Sequence, residues 1–400
     1  MTAEQRVTSW ARRLAVAGAA TASTAALATA AGSLGAAAYF ARRVLTPDRR
    51  RPDDVEILEV SSDSITLAAT VDTRAPGRYG LWLHGGDGNA RFGEVLSVSA
   101  DGERVTRELN GVDAGALAVG PARFNTSYWG TPPEHSLGLP TEHVAIEGEL
   151  GPLPAWVVPA DGVGVGGDGQ SGDRWAILVH GRGNRREEAL RALMTMHQQD
   201  WTSLVPSYRN DEGVAPGPDG RYNLGLSEWR DVEAAARYAV ARGARELLLV
   251  GWSMGGAIVL QFLDRSDLSH LVTGVVLDGA VVDWGNVLVH HGELNRVPGP
   301  VLALSRAMMG KVWGTRLVGV HDPVDVALTD WVTRADELHH PMLLIHSAQD
   351  DFVPIGPAKA LAEKRPDIVT FEEWADGGHC REWNVDPQRW EQVVGEFIAR

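Results

Sequence analysis

A serine flanked by glycines stands between a strand pattern and a helix pattern, and this segment constrains the fold more than any other. The residues Gly251-Trp252-Ser253-Met254-Gly255-Gly256 follow the apolar run 247–250 and precede the apolar run 257–260. A strand that turns directly into a helix brings two backbones together, so the positions two before and two after the serine have no room for side chains. Such a turn strains the serine backbone and exposes the hydroxyl. The segment therefore predicts a nucleophilic Ser253.

Composition and charge limit the classes of protein that this chain can belong to. The chain has 400 residues, of which 44% are hydrophobic and 22% charged, which is typical of one catalytic domain with an appendage. Residues 1–54 have a net charge of +4, so the remainder of the chain has about -19 within a total of -15. An acidic body repels phosphate backbones, which argues against nucleic-acid binding. Cys380 is the only cysteine, so no intrachain disulfide can form.

The N-terminus contains an uncharged segment with the length of a membrane helix. Residues 14–40 are without charge between Arg12-Arg13 and Arg42-Arg43, although the segment is rich in alanine and only weakly apolar. We expect residues 1–54 to form a single-pass membrane anchor and a polar linker. A cleaved signal peptide, with Ala28-Thr29-Ala30 as the cleavage site, is the alternative and would imply export. The sequence does not indicate on which side of the membrane the rest of the chain lies.

Two further regions follow the linker. Residues 55–138 contain short β-like runs divided by Gly, Asp and Asn turns and predict a small β-rich module, whose role the sequence does not indicate. The predicted strands of this module are Val55–Val60, Ser64–Ala69, Tyr79–Leu83, Glu94–Val98 and Arg104–Leu109. Residues 139–400 begin with two strands and a glycine-rich loop over 161–172. Apolar strands then alternate with helices, which predicts a mostly parallel α/β sheet with helices on both faces.

Reactive residues in such a sheet gather at the carboxyl ends of the strands. A serine hydroxyl needs a base to accept its proton and a third group to orient that base. Asp350 follows the apolar run 341–346, and His379 follows the strand-like run 369–374. The chain order Ser, Asp, His is the order used on doubly wound hydrolase sheets. Other candidates for the acid are Asp351 and Asp278, and other candidates for the base are His339, His340 and His346.

Four motifs together resemble the α/β-hydrolase superfamily, and most closely its esterase and prolyl-oligopeptidase-like serine hydrolases. They are the segment 251–256, the pair His180-Gly181, the segment 350–354 and the triplet 377–379. The likeness covers roughly residues 140–400 and implies an α/β-hydrolase fold, a doubly wound, mostly parallel sheet. It also implies the nucleophile Ser253, the base His379 and the acid Asp350, with the backbone N–H groups of Arg182 and Met254 in the oxyanion hole.

Two segments near these motifs have structural interpretations. The insertion over about 284–338 contains Trp, Met and His in helix-like surroundings, at the place where the superfamily builds its lid. Packing of helices onto the body is the more conservative interpretation of its Trp and Met residues. Arg209 follows a strand on the expected active edge, and we expect it to pair with Asp211 or Glu228 as a structural contact.

The residues favour a serine hydrolase that forms an acyl-enzyme at Ser253. Ester bonds are the first choice, because the chain lacks the propeller or other gate of many peptidases of the related branch. A peptidase or amidase is the alternative, and an inactive membrane-anchored binding protein is a third possibility. No zinc-protease helix motif, dinucleotide loop or Walker-type loop occurs, so we expect no metal and no cofactor. The expected partners are a small-molecule ester or peptide and a membrane, and the oligomeric state is open.

Overall fold

The computed structural model of the chain describes residues 32–47, 52–162 and 172–400. Residues 14–31 of the predicted membrane segment, residues 48–51 of the predicted linker and most of the glycine-rich loop lie outside these ranges. The chain divides into two compact units. Of the described residues, 32–45 and 288–325 form one unit, and the remainder, from 46 to 287 and from 326 to 400, form the other.

The smaller unit is helical. Helix α1 covers residues 32–45 and buries Ala37, Ala41 and Leu45. Its carbonyl at Ala37 accepts a hydrogen bond of 3.0 Å from the hydroxyl of Ser305. Among the described residues, none of the helices combines the length and the hydropathy that crossing a bilayer requires.

The β-rich region is a closed antiparallel barrel. Its strands are β1 (Val55–Val60), β2 (Ser64–Ala68), β3 (Tyr79–Leu83), β4 (Gly88–Val98), β5 (Arg104–Ala114) and β6 (Gly120–Asn125), paired in the order β1-β2-β5-β4-β3-β6. Side chains that alternate along these strands fill the interior, as in Ile57, Leu67 and Leu81. The prediction of a β-rich module is confirmed. The sequence missed β6, because Gly120-Pro121 reads as a turn.

The second region of the larger unit is an α/β sandwich. Its strands are β7 (Glu142–Gly148), β8 (Gly151–Val158), β9 (Arg174–Val179), β10 (Thr202–Pro206), β11 (Glu246–Trp252), β12 (Val272–Asp278), β13 (Met342–Ser347) and β14 (Val369–Trp374). Its helices are α2 (Pro133–Ser136), α3 (Leu190–Gln198), α4 (Trp229–Ala241), α5 (Met254–Arg265), the start of α6 (Trp284–Leu294), α9 (Ile355–Lys364), α10 (Glu382–Val385) and α11 (Pro387–Ile398). The rest of α6, with α7 (Gly299–Gly310) and α8 (Val312–Val318), belongs to the helical unit with α1. The lid stays a prediction.

One eight-stranded sheet has the order β14-β13-β12-β11-β9-β10-β8-β7. The strands from β14 to β10 are parallel, and β8 and β7 continue the sheet antiparallel. The central strands are apolar and buried over most of their length, with charged residues at one end of each, as expected for a sheet covered on both faces. Since parallel strands end at the same edge, the loops after β9, β11, β13 and β14 lie together there.

The barrel is bonded to the segment that follows β14. The side-chain amide of Asn384 donates to the carbonyl oxygens of Arg78 (2.6 Å) and Thr126 (2.9 Å). The carbonyl of Asn384 accepts from the Arg78 N–H at 3.0 Å. Arg381 forms an ion pair of 2.6 Å with Asp72 of the barrel. The barrel therefore holds the chain directly after His379.

Candidate active site

Ser253 occupies the sharp turn between β11 and α5. Its backbone has φ 51° and ψ -118°, a conformation that non-glycine residues rarely adopt. A Cβ atom at Gly255 would lie 2.1 Å from the carbonyl oxygen of Val179, and one at Gly251 would lie 2.7 Å from the Cα of Gly256. The absence of side chains at these positions lets strand and helix approach. Ser253 is 6% exposed.

The structure brings Ser253, His379 and Asp350 together at the carboxyl edge of the sheet. Nε2 of His379 lies 2.9 Å from the hydroxyl oxygen of Ser253, and Nδ1 lies 2.8 Å from Oδ2 of Asp350. The other carboxylate oxygen of Asp350 accepts the backbone N–H groups of Phe352 (2.9 Å) and Val353 (2.8 Å). These contacts fix the carboxylate, which in turn orients the imidazole.

The electrostatic surroundings keep Asp350 ionised. Burial alone would raise the pKa of its carboxyl, but hydrogen bonds with His346 and His379 lower the pKa well below its usual range. His346, one of the rival bases, is buried in β13. Its Nε2 lies 2.9 Å from the carbonyl oxygen of Val353 and 3.3 Å from Oδ2 of Asp350. It contacts the acid and not the serine.

The loop that carries His379 is fixed from the neighbouring strand. The N–H of Gly378 donates to the hydroxyl oxygen of Ser347 at 3.1 Å, and both Gly377 and Gly378 have positive φ. The ring of Phe352 lies 5.0 Å from the imidazole, centroid to centroid. The imidazole side chain is 22% exposed, so a substrate can reach it.

The loop after β9 lies against the serine. A Cβ at Gly181 would be 3.0 Å from the Cβ of Ser253, so the backbone of Arg182 follows directly beside the nucleophile. Met254 begins α5, and the first N–H groups of a helix have no acceptor within the helix. The residues expected to form the oxyanion hole therefore flank Ser253.

A buried cluster holds the carbonyl of Gly181. Nδ1 of His180 lies 3.0 Å from this oxygen, and the hydroxyl of Tyr208 lies 3.2 Å from it. Nε2 of His180 lies 2.9 Å from Oδ2 of Asp211. Burial alone would lower the pKa of His180, but Asp211 outweighs it and the pKa is raised. Both ring nitrogens face acceptors, which suits a protonated imidazole. The carbonyl of Gly181 and the N–H of Arg182 belong to the same trans peptide and point in opposite directions. The cluster therefore directs the Arg182 N–H away from His180 and Tyr208.

A second buried cluster joins this loop to the histidine loop. Glu188 accepts the Gly181 N–H at 2.6 Å and the side-chain amide of Asn184 at 2.7 Å. Arg191 donates to the carbonyl oxygens of Glu188 (3.0 Å) and Cys380 (2.8 Å). Cys380 follows His379 in the chain. The oxyanion loop and the base are thus connected through two buried, oppositely charged side chains.

The side chains of two further sequence candidates bond groups other than Ser253 and His379. Asp278 accepts the indole N–H groups of Trp252 (3.1 Å) and Trp390 (2.9 Å) and is fully buried. Nε2 of His340 lies 3.0 Å from the carbonyl oxygen of Ser269.

The partners predicted for Arg209 are wrong. Its guanidinium bonds Asp231 at 2.8 Å and Glu149 at 3.0 Å. Asp211 instead contacts the imidazole of His180. Glu228 accepts hydrogen bonds from two backbone N–H groups of its own loop. The contact of Arg209 is structural, as expected, but its partners Asp231 and Glu149 lie farther from it along the chain than the predicted ones. Within the described residues, no three His, Cys, Asp or Glu side chains are grouped so that they could hold a metal.

Comparisons with known proteins give the family context. A model described as "Alpha/beta hydrolase family" matches residues 176–395, more than half of the chain, and a "Domain of unknown function (DUF8805)" matches residues 56–125. No curated protein matches the chain significantly.

The chain is similar in structure to the Pyrococcus furiosus esterase Pf2001, with a TM-score of 0.50 and 18% identity over 68% of this chain and 94% of that one. It is also similar to an esterase domain from a Rhodothermus marinus protein, with a TM-score of 0.44 and 20% identity over 65% of this chain and 99% of that one.

Proposed function

Because the chain belongs to the α/β-hydrolase family, we propose that it hydrolyses carboxylic esters through Ser253, His379 and Asp350. The proposal is carried by one observation, the unbroken series of hydrogen bonds from the serine hydroxyl through the imidazole to a buried carboxylate. The Pyrococcus furiosus protein of the same fold is an esterase, which makes esters the first substrates to test.

The reaction begins when the hydroxyl of Ser253 attacks the ester carbonyl carbon and its proton passes to Nε2 of His379. Asp350 accepts the Nδ1 proton in a hydrogen bond and stabilises the charged imidazole. The developing oxyanion accepts the N–H groups of Arg182 and Met254, each of which lowers the barrier by about 3 kcal/mol. The proton on Nε2 then passes to the leaving alcohol, and an acyl-enzyme remains.

Water completes the cycle. His379 accepts a proton from a water molecule as its oxygen attacks the acyl carbon, and the same two N–H groups hold the second oxyanion. Collapse of this intermediate returns the proton to Ser253 and releases the acid. No cofactor takes part in these steps.

Labelling by a fluorophosphonate tests the nucleophile. We expect the native chain to be labelled and Ser253→Ala not to be, with loss of p-nitrophenyl butyrate hydrolysis in the same variant. Ser64→Ala, at the start of strand β2 in the barrel, is the matched control and should keep both properties. A native chain that takes no label favours an inactive binding protein.

A matched ester and amide decide between esterase and amidase. The two substrates, p-nitrophenyl butyrate and p-nitrobutyranilide, carry the same acyl chain and release chromophores of similar colour. We expect hydrolysis of the ester but no hydrolysis of the anilide above the rate of the Ser253→Ala variant. Anilide hydrolysis that is lost in Ser253→Ala would contradict the choice of esters and favour an amidase.

Attachment to a membrane through residues 14–40 is a separate proposal, supported by the 27 residues without charge between two arginine pairs. The full chain should remain with membranes after an alkaline carbonate wash. Leu27→Arg should weaken this retention, because an arginine at the centre of such a segment costs about 3 kcal/mol. Recovery of the unaltered, full-mass chain in the soluble fraction would contradict the proposal, and loss of the segment from the mature chain would favour the cleaved signal.

A further inference from the structure

One buried arginine holds the loop between strands β2 and β3 of the barrel (residues 69–78), here called the β2–β3 loop. Arg107 of β5 is fully buried. Its guanidinium donates to three carbonyl oxygens of this loop, those of Thr73 (2.8 Å), Ala75 (2.8 Å) and Gly77 (2.7 Å). A buried charge is stable only where hydrogen bonds replace those of water. Because these carbonyl groups take the place of water, the loop is fixed to the barrel.

The β2–β3 loop contacts the segment that follows the general base at two points. Asp72 forms an ion pair of 2.6 Å with Arg381, which lies two residues after His379. A Cβ atom at Gly77 would lie only 2.1 Å from the carbonyl oxygen of Asn384. The backbones of the loop and of helix α10 are therefore in direct contact, with no room for a side chain between them.

The side-chain amide of Asn384 joins helix α10 to two segments of the barrel region. Asn384 is fully buried. Its amide donates to the carbonyl oxygen of Arg78, at the end of the β2–β3 loop, and to that of Thr126, directly after β6. Both hydrogens of the amide are thus used, and loss of this side chain would deprive two carbonyl groups of their donor.

The segment that leaves the barrel also contacts the loop after β9. The hydroxyl of Ser127, two residues after β6, donates to the side-chain oxygen of Asn184 at 3.3 Å. The amide of Asn184 in turn donates to Glu188, which accepts the N–H of Gly181. Contacts from the barrel region therefore reach both loops that flank Ser253.

The position of His379 depends on what holds the chain on either side of it, because the two residues that precede it are glycines with positive φ. Before it, the N–H of Gly378 donates to the hydroxyl oxygen of Ser347 at 3.1 Å. After it, Arg191 donates to the carbonyl oxygen of Cys380 at 2.8 Å. These bonds fix the nearest residue on each side, and the barrel contacts fix the chain that follows.

We propose that the barrel is a positioning element for the general base, acting through the Asp72–Arg381 ion pair and the amide of Asn384. This assigns a role in catalysis to the region that matches a domain of unknown function. A displacement of about 1 Å at a reacting group can cost a factor of about 100 in rate. Side chains that touch neither the substrate nor the serine can therefore determine kcat. The inference rests on the proposed ester hydrolysis.

Asp72→Asn tests the ion pair, because asparagine keeps the size of the side chain and removes its charge. We expect kcat for p-nitrophenyl butyrate to fall about three- to fivefold with KM unchanged, the range that a half-exposed ion pair can contribute. The value is expressed per serine labelled by the fluorophosphonate at completion. This count separates a slower site from a smaller folded fraction, so a role in stability alone would leave kcat unchanged.

A double-mutant cycle shows whether the two side chains act as a unit. Arg381→Gln should lower kcat to a similar extent, and Asp72→Asn should have little further effect in the chain that already carries Arg381→Gln. Glu59→Gln makes the same kind of change in an exposed barrel ion pair with Arg104. As the matched control, it should leave kcat unchanged.

Asn384→Ala tests the amide. The variant removes both donors to the barrel region and should lower kcat per labelled serine about tenfold or more, with KM unchanged. Thermal unfolding identifies a variant that fails to fold, and the ion-pair variants then decide.

Equal kcat per labelled serine in the native chain, Asp72→Asn and Arg381→Gln would overturn the inference. Full additivity of the two losses in the double variant would also count against a shared action on the base. Failure of the esterase proposal has a different signature, since the native chain would then take no label and hydrolyse no ester.

Discussion

At the scale of single residues, the Gly181–Arg182 peptide is held from the side opposite to the nucleophile. Its carbonyl faces His180 and Tyr208, and the preceding N–H faces Glu188. A peptide that is held in this way cannot rotate and withdraw its N–H from a developing oxyanion. Donors that are oriented before the reaction stabilise charge without a cost of reorganisation.

Glu188→Gln tests this orientation. The amide must present an N–H to Gly181 or to Asn184, both of which are donors, so we expect the loop to lose its fixed position. Steady-state kinetics should show kcat reduced about 10- to 100-fold with little change in KM. Glu142→Gln, in a half-buried pair with Arg242, is the control with the same change of side chain. A rise in KM at unchanged kcat would contradict a role in the transition state.

Asp211→Asn tests the protonated state of His180. The pKa of His180 is raised in the folded chain, so the stabilisation from its charged form is complete below the unfolded pKa and is lost as the pH rises through the folded pKa. Without the carboxylate, burial lowers the folded pKa of His180, and once it lies below the unfolded pKa the sign reverses, so the contribution of His180 to stability increases with pH instead of decreasing. Thermal unfolding, followed from about pH 5 to 9, should show this reversal, and kcat should change over the same pH range.

The control for this experiment is Glu134→Gln, which alters the exposed pair with His143 and should leave both pH profiles unchanged. If Asp211→Asn and the native chain have the same profiles, His180 is not charged in the native state.

The side chains of the site differ in how far the sequence reveals them. Ser253, Asp350 and His379 stand in short motifs at strand ends, and a local pattern is sufficient to select them. Glu188 and Arg191 lie in a helical stretch with other charged residues, and only the fold brings them to the loops that they join. What distinguishes Glu188 and Arg191 from the neighbouring charged residues is their burial, and burial cannot be derived from a single sequence.

At the scale of elements, the turn from β11 to α5 depends on two backbones in contact. We expect Gly255→Ala to destabilise the fold by about 3 kcal/mol or more, because its methyl group would overlap the carbonyl of Val179. Gly356→Ala is the matched control. This exposed glycine lies in α9 with no atom outside its chain neighbours near the added methyl group, and the substitution should leave the free energy of unfolding nearly unchanged, because the gain in helix propensity is opposed by the proline that follows at position 357. Denaturant unfolding measures both, and similar effects would contradict the packing argument.

The elements themselves were predictable where the local pattern decides the structure. The apolar strands of the sheet have a clear sequence signal, since both of their faces are buried. The barrel strands were found in part. Strand β4 begins at Gly88 rather than at Glu94 and contains several register shifts, which interrupt the alternation that marks a strand. Neither barrel closure nor strand order can be inferred from such runs.

At the scale of the whole molecule, two acidic side chains share the interior behind the site. Burial raises the pKa of Glu382 well above its usual range, and the adjacent Asp278 raises it further. Glu382 therefore keeps its proton to higher pH than an exposed glutamate does, beside the carboxyl group of Asp278. Since the unfolded chain releases this proton at lower pH, stability is complete below the unfolded pKa and falls as the pH rises toward the folded pKa.

Glu382→Gln should reduce this pH dependence, because the amide donates a hydrogen bond without titrating. The free energy of unfolding of the native chain should decrease by up to about 1.4 kcal/mol per pH unit from this group alone. The variant should lack this contribution, as measured by urea unfolding across neutral pH. Glu396→Gln, in the exposed contact with Gln392, is the control. Parallel curves for native chain and Glu382→Gln would contradict a retained proton.

The bonds of Asn384 to the barrel have a consequence for how such proteins diversify. A recombination event that replaced the barrel would also remove the support of the chain beside the general base. The two regions should therefore be inherited as a pair, and changes in one should be matched by changes in the other.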